Sequence, residues 1–315
     1  MKRDVFLGLA TAAAFVPQMA AAADADVSIA YAGSLVTLME KSLGPAFAAT
    51  GYTYEGEGRG STAIANLIRD GLRTPDVFIS ADIAAIESLR GTAGHDAAKW
   101  YTTFASTRMQ IAYSAKSKFA ADFAAAARGT KPWYAVLQQP GIVVARTDPA
   151  QDPKGYRVLV VMQLAQRFYR QPGLAKRILG DDRNAEQIVP EEVALARLQT
   201  GEVDAIWAYS TESTSRGLDF IDLPPQINLG DPKESAGYAA ASVVVGMKTF
   251  RGAPIVYAVT IPTKASNPSG GAAFVAFLLG IKGKALLARA GLSILKASTV
   301  GDRSAIPPVL IPILR

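Results

Sequence analysis

Apolar and polar residues alternate along residues 26–31, and a helical pattern of apolar positions follows over residues 35–48. The alternation predicts a half-buried strand, because successive side chains of a strand point to opposite faces. The same order recurs with a strand at residues 52–55, a Gly-rich turn at 56–60 and a helix from Ser61. One face of this helix would carry Ile64, Leu67, Ile68 and Leu72. Another strand is predicted at residues 76–80, and the repetition indicates an open, largely parallel α/β sheet.

A second block of similar elements begins at residue 109. Its predicted strands cover residues 109–113, 141–145, 204–209 and 219–223. Its predicted helices cover 120–127 and 152–170, and a third starts at residues 190–192, has apolar positions Val193, Leu195 and Leu198, and stops at Gly201. A strand at residues 254–261 would return to the first block, before closing helices at 271–279 and 282–290. The chain therefore alternates strands and helices along most of its length.

The N-terminus has the layout of a secretory signal peptide. Lys2 and Arg3 precede an apolar stretch at residues 5–15, and small residues end at 20–23. This apolar stretch is far shorter than the roughly 20 residues that a spanning helix needs. We therefore expect cleavage before Asp24 and export of a soluble mature protein.

Composition narrows the possible functions. The 315 residues include no cysteine, which excludes disulfides, thiolate metal sites, a cysteine nucleophile and a lipid anchor on an N-terminal cysteine. The formal net charge of +6 suits an anionic ligand. Lysine and arginine are spread thinly along the chain, and nucleic-acid binding would instead require basic residues clustered with aromatic ones.

The predicted strand-to-helix turns carry the candidate chemistry. Ligands of open α/β sheets lie at the carboxyl ends of strands, where helix N-termini present free N–H groups. Ser34 and Ser61 each offer a hydroxyl next to a glycine, Gly33 or Gly60, that allows close approach, so two such turns could bind a tetrahedral oxyanion. The alternative is that each serine only caps its helix.

Asp152 and Glu191 start the other two candidate turns. Acidic residues are common at helix starts because they cap the helix and favour its dipole. A carboxylate also repels an anion unless the ligand supplies a positive centre. From the residues alone, both positions are therefore better explained as structural.

Several longer runs resemble a known family. They are Tyr31-Ala32-Gly33-Ser34-Leu35, Gly60-Ser61, Asp76-Val77 with Ser80-Ala81-Asp82, Arg146-Thr147-Asp148-Pro149 with Asp152-Pro153-Lys154-Gly155-Tyr156-Arg157, Gly201-Glu202-Val203-Asp204, and Ile227-Asn228-Leu229-Gly230-Asp231-Pro232. Together they resemble the tungstate/molybdate-binding proteins of the type first known from archaea, over residues 29 to about 290. The runs at 147–157 and 227–232 are the most specific.

This resemblance implies the two-lobed α/β fold of type II periplasmic binding proteins, with the ligand held in the cleft between the lobes. The expected organisation is a signal peptide at residues 1–23, a first lobe from 24–108 plus 253–315, and a second lobe from 109–252. The implied function is that of a periplasmic substrate-binding component of an ABC importer. Its partners would be the permease and ATPase subunits, and we expect a monomer that needs no cofactor.

The resemblance also implies a binding site. In the family, the metal of the oxyanion can be six-coordinate, with four oxo groups and one oxygen each from an Asp and a Glu. By motif position these are Asp152 and Glu191, and a hexavalent metal is a hard acid that takes oxygen ligands. Sulfate and phosphate cannot expand their coordination in this way, so the two carboxylates would repel them. Hydrogen bonds to the oxo groups would come from Ser34, Ser61 and backbone N–H groups near Ala81 and Tyr156, with Tyr209 a further cleft candidate.

The chain departs from the family pattern at three places. Arg59 precedes the second Gly-Ser turn, Lys154 stands where several relatives carry Cys, and the run at residues 207–212 is unusual. Arg59 in the cleft would strengthen anion binding and could pair with a carboxylate. These departures leave open whether the metal is six-coordinate or the oxyanion stays tetrahedral.

Other functions remain as alternatives. An enzyme could use two carboxylates, but the only histidine, His95, lies in a predicted surface loop and no nucleophile-base pair or phosphate-binding loop is evident. Ferric iron on this fold typically requires paired tyrosines, and a sugar requires aromatic stacking faces. Trp207 would be the best such face, although Trp100, Trp133 and Trp207 are each explained more simply as core. A sulfate-like oxyanion or another small solute, including a polyamine, is the remaining alternative.

Overall fold

A computed structural model describes residues 26–314, so the predicted signal peptide lies outside the described residues. The strands of this part are β1 (Asp26–Ala32), β2 (Thr53–Arg59), β3 (Val77–Ser80), β4 (Trp100–Thr107), β5 (Met109–Tyr113), β6 (Val144–Ala145), β7 (Ala205–Tyr209), β8 (Asp219–Asp222), β9 (Ser242–Val245), β10 (Lys248–Arg251), β11 (Ile255–Thr260) and β12 (Ser293–Gly301).

The α-helices are α1 (Val36–Leu38), α2 (Gly44–Ala48), α3 (Ser61–Arg69), α4 (Ile83–Glu87), α5 (Ala120–Ala127), α6 (Trp133–Val136), α7 (Pro153–Phe168), α8 (Leu174–Leu179), α9 (Glu191–Thr200), α10 (Ser210–Arg216), α11 (Ser235–Tyr238), α12 (Pro268–Leu279) and α13 (Ile281–Arg289). A π-helical turn, Met39–Leu43, joins α1 to α2, and a 3₁₀ turn, Gly33–Leu35, precedes α1. Further 3₁₀ turns are Thr92–Gly94, Pro232–Glu234, Arg303–Ala305 and Pro308–Leu310.

The first lobe contains a six-stranded sheet in the order β2-β1-β3-β11-β4-β12. Strand β1 runs parallel to β2 and β3, whereas β11, β4 and β12 pair antiparallel with their neighbours. The predicted largely parallel sheet is therefore correct only for its β2-β1-β3 half. The sequence analysis did not predict strands β4 and β12. Seven of the eight β4 residues are buried, so β4 lacks the alternation of apolar and polar residues that marks a half-buried strand. Strand β12 lies at the edge of the sheet and is mostly exposed.

The second lobe contains a four-stranded sheet in the order β6-β7-β5-β8, in which only β6 and β7 are parallel. Arg108 is the single residue between β4 of the first sheet and β5 of the second. The chain returns to the first sheet at β11, after the β9-β10 hairpin. Two α/β lobes joined by crossing strands agree with the predicted architecture, while the proposed lobe boundaries stay a prediction.

Several local predictions need correction. Residues 56–60 are not a turn, because β2 continues to Arg59 and pairs with β1 along its whole length. Leu72 lies beyond the end of α3 and is 63% exposed, so it is not part of the buried helix face. Val193 is also exposed, and the strand predicted at 141–145 is reduced to Val144–Ala145. In each case tertiary pairing and burial override the local pattern.

The helix starts that frame the cleft follow their sequence signals. Asp152 is the N-cap of α7 and Pro153 its first residue, where a missing N–H costs nothing. Pro190 is the N-cap of α9, which ends at Gly201 with φ +88°, a left-handed conformation that glycine adopts without strain. The sequence thus fixes where both helices begin.

The three tryptophans belong to the core, as predicted. Trp100, Trp133 and Trp207 are all buried, and the rings of Trp133 and Trp207 pack edge to face at 5.9 Å.

No single helix within residues 26–314 is long and apolar enough to cross a membrane; α12 and α13 reach that length and apolarity only as a pair bent by 62°.

Asp76 links β1, β3 and the start of α12. The buried carboxylate accepts hydrogen bonds from Ser28 N at 2.9 Å, Ser28 Oγ at 2.8 Å and Asn267 N at 2.5 Å. Asp76→Ala leaves these donors without their acceptor, so we expect the free energy of unfolding to fall by about 3 kcal/mol in urea titrations. Asp70→Ala, at an exposed carboxylate, is the control, and equal losses in the two variants would contradict this role.

Candidate ligand-binding cleft

A pocket of 570 Å³ lies between the two lobes. Its walls include Gly33, Gly58, Arg59, Gly60 and Ala63 of the first lobe, and Thr147, Asp148, Gln151, Asp152, Pro190 and Glu191 of the second. The glycines of the two Gly-Ser turns and the two acidic helix starts singled out by the sequence therefore meet at one place, whereas Ser34 and Ser61 are buried and do not line this pocket. The glycines and the acidic helix starts come from opposite lobes and face each other across the cleft.

Ser34 and Ser61 do not cap their helices, so the capping alternative is wrong for both. The N-cap positions are Ala32 and Gly60. Ser34 Oγ instead hydrogen-bonds to the hydroxyl of Tyr257 at 2.8 Å, and Ser61 Oγ accepts a hydrogen bond from Ala81 N at 3.1 Å. Since Ser61 Oγ acts as an acceptor in this contact, its own hydrogen is left to donate.

Asp152 does cap its helix. Its Oδ1 accepts a hydrogen bond from Lys154 N at 2.8 Å. Burial raises the pKa of the Asp152 carboxyl, and the nearby charge of Lys154 acts in the opposite direction. Capping occupies one carboxylate oxygen and holds the side chain at the pocket wall, so the structural role does not conflict with a role in binding.

Glu191 has no capping role, because it is the first residue of α9 after the N-cap Pro190. It is 8% exposed, and its Oε1 lies 2.5 Å from Lys154 Nζ. Its Oε2 reaches across the cleft and occupies the space beside Gly33, where an added Cβ would lie only 1.8 Å away. Burial raises the pKa of Glu191 well above its ordinary value, and the ammonium of Lys154 opposes this shift.

Lys154 also contacts a second carboxylate that sequence reasoning missed. Lys154 Nζ lies 2.7 Å from Glu212 Oε1, and both side chains are almost fully buried. The other oxygen of Glu212 accepts a hydrogen bond from Tyr209 N at 2.7 Å, the backbone N–H of the N-cap of α10. Burial opposes ionisation of Glu212, but Lys154 holds the pKa of Glu212 below its ordinary value.

The sequence contained a signal for this cluster. Lys154 stands in the first turn of α7, at the positive end of the helix dipole. A positive charge is unfavourable there unless a negative charge lies close to it. Glu212 stands three residues after the N-cap Tyr209, the spacing at which a glutamate can accept a hydrogen bond from the N-cap N–H. Neither signal says that the two side chains meet, because they lie on different helices.

Further contacts hold the lobes together. Tyr156 Oη donates to Asp82 Oδ2 at 2.7 Å, and Arg157 Nη1 donates to Ala81 O at 2.7 Å. The same Arg157 nitrogen donates to Tyr209 Oη at 2.7 Å, and Tyr209 is buried and does not line this pocket. The ligand contacts assigned to Ala81, Tyr156 and Tyr209 stay predictions.

Arg59 lines the pocket but does not pair with a carboxylate of the opposite lobe. Its side chain is 54% exposed and forms an ion pair with Glu57 of its own strand at 2.8 Å. Arg59 therefore adds positive charge at the mouth of the pocket without neutralising Asp152 or Glu191.

Thr147 is a pocket residue that the sequence did not single out for binding. Its hydroxyl is buried and makes no hydrogen bond within residues 26–314. A buried hydroxyl without a partner carries a desolvation cost that a bound ligand could relieve. His95, by contrast, lies in an exposed loop, as predicted.

Comparisons with known proteins identify the family. Residues 27–293 match the model of the bacterial extracellular solute-binding proteins. A putative ABC transporter molybdenum-binding protein of Haloferax volcanii is 34% identical, over 74% of this chain and 72% of its own length. The molybdate/tungstate-binding protein WtpA of Thermococcus kodakarensis is 29% identical, over 73% of this chain and 70% of its own length.

Solved structures agree on the fold. The periplasmic molybdate-binding protein of Azotobacter vinelandii superposes with a TM-score of 0.59 at 18% identity, over 85% of this chain and 99% of the other. The predicted two-lobed periplasmic binding fold is thereby confirmed, and the family confirms a transport-associated binding protein rather than an enzyme, acting outside the cytoplasm. This chain belongs to the bacterial extracellular solute-binding proteins.

Proposed function

We propose that the chain binds molybdate or tungstate in the interlobe cleft, in the periplasm, and delivers it to the permease and ATPase of an ABC importer. The observation that carries this proposal is the pairing of two Gly-Ser turns with two carboxylates across the cleft. The turns at Ser34 and Ser61 suit the oxo groups. The carboxylates of Asp152 and Glu191 suit a hexavalent metal, which accepts hard oxygen ligands. The names of the relatives from Haloferax and Thermococcus support the same ligand.

The rival ligand on this fold is a tetrahedral oxyanion such as sulfate. Sulfur cannot add carboxylate ligands, so sulfate would meet Asp152 and Glu191 as negative charges, the form that the ammonium of Lys154 favours against the effect of burial. Each like-charge contact within about 4 Å costs on the order of 4 kcal/mol at the effective dielectric of a protein surface. The two carboxylates therefore favour the oxyanion whose centre can coordinate them.

Calorimetric titration of the mature protein with molybdate, tungstate and sulfate tests the proposal. We expect both metal oxyanions to bind one per chain, and sulfate to bind at least about 100-fold more weakly because of the charge repulsion described above. Equal affinity for sulfate, or no response to molybdate and tungstate, would contradict the assignment. The protein should bind as a monomer without any added cofactor, which sedimentation in the same buffers checks.

A further inference from the structure

The buried cluster of Lys154, Glu191 and Glu212 has a further role. We propose that Lys154 is a positioning residue that holds Glu191 by one oxygen and presents the other oxygen to the metal of the bound oxyanion. This inference rests on the proposed function, because it concerns how the same site coordinates molybdate or tungstate.

The two oxygens of Glu191 have different surroundings. Oε1 is taken by Lys154 Nζ at 2.5 Å, on the second-lobe side. Oε2 points to the first lobe, beside Gly33 and next to the turn that carries Ser34. A carboxylate held in this way can offer one oxygen to a metal but cannot chelate it with both. Asp152 is restricted similarly, because Lys154 N occupies its Oδ1.

Lys154 is itself fixed in position. Glu212 holds Nζ from another side at 2.7 Å, and the ring of Tyr209 lies 5.5 Å from the ammonium. Glu212 is in turn anchored to Tyr209 N. Since Lys154 and Glu212 are only 2–3% exposed at their side chains, the ammonium has little freedom to leave Glu191. This series of contacts, from Tyr209 through Glu212 and Lys154 to Glu191, fixes the position of the Glu191 carboxylate relative to helix α10.

The cluster also sets the charge that the ligand meets. Three carboxylates, Asp152, Glu191 and Glu212, surround one ammonium, and a dianion must enter beside them. Removing Lys154 leaves all three carboxylates without that charge. Loss of one partner from a buried, hydrogen-bonded charge pair typically weakens binding by about 30-fold or more.

The test compares Lys154→Met with the double variant Lys154→Met/Glu212→Gln, and Lys118→Met, at an exposed lysine of the second lobe, is the control. Affinity is measured by calorimetry with sodium molybdate, and coordination by X-ray absorption at the molybdenum edge at saturating ligand. Tetrahedral molybdate gives a strong pre-edge feature, and six-coordinate molybdenum gives a weak one. We expect the weak feature in the parent protein and in the control.

In Lys154→Met we expect at least about 30-fold weaker binding and a stronger pre-edge feature, because Glu191 is no longer held. The double variant removes one excess negative charge and should recover part of the affinity while keeping the altered spectrum. It also carries the test if Lys154→Met does not fold. Recovery of both affinity and the parent spectrum would show that Lys154 supplies charge alone, and would overturn the proposal. So would a Lys154→Met protein with parent affinity and spectrum. If the parent protein binds no molybdate, the proposed function itself fails, and this inference with it.

Discussion

Glu191→Gln is expected to weaken molybdate and tungstate binding by roughly 100-fold or more, the largest effect of any single substitution in the cleft. The amide keeps the size of the side chain but removes the negative charge that a hexavalent metal attracts. It also breaks the buried ion pair with Lys154 at 2.5 Å. Sulfate binding should rise in the same variant, because one of the two repelling charges is gone. Calorimetry with each anion measures both changes.

Asp152→Asn gives an independent check on the carboxylate pair. Asparagine is as good an N-cap as aspartate, so helix α7 should start unchanged while the charge is lost. Glu202→Gln, at an exposed carboxylate just beyond the end of α9, is the matched control and should bind like the parent. If Glu191→Gln keeps its molybdate affinity within threefold, the carboxylates are structural and the cargo assignment is wrong.

Gly60→Ala is expected to prevent the lobes from closing. An added Cβ would lie 2.5 Å from Gln151 O and 3.2 Å from Asp152 Cα. These are backbone atoms of the opposite lobe, so they cannot rotate away as a side chain can. Gly60 has φ −54°, which alanine adopts without strain, and the first lobe should therefore fold normally. We expect molybdate affinity to fall by about tenfold to 100-fold, since closure on the ligand is blocked.

Small-angle X-ray scattering separates this effect from unfolding. The parent protein should contract when molybdate is added, and Gly60→Ala should not. Gly237→Ala is the control, because its added Cβ would make only an ordinary contact at 3.5 Å with Glu234. Normal contraction in Gly60→Ala would show that the lobes can pack in another way.

The sequence by itself determined the local starts and stops around the cleft. Helix capping and allowed backbone angles specify the helix termini at Asp152-Pro153, Pro190-Glu191 and Gly201. Both effects depend only on residues that are neighbours in the sequence. The motif runs identified the family and, within it, the candidate residues Ser34, Ser61, Asp152 and Glu191. The structure places Asp152 and Glu191 in the cleft wall, whereas Ser34 and Ser61 are buried next to the lining glycines Gly33 and Gly60. The contacts of all four with the ligand stay a prediction.

Only the tertiary structure decided what those side chains touch. The serines looked like caps, but pairing with Tyr257 and Ala81, both distant in the sequence, draws their hydroxyls away from the helix ends. The extension of β2 through a Gly-rich stretch depends on β1 beside it. The meeting of Lys154 with Glu191 and Glu212 joins three helices, and a one-dimensional pattern carries no information about such distances. Local propensities act over a few residues, whereas the charge and geometry of the cleft arise from segments that folding brings together.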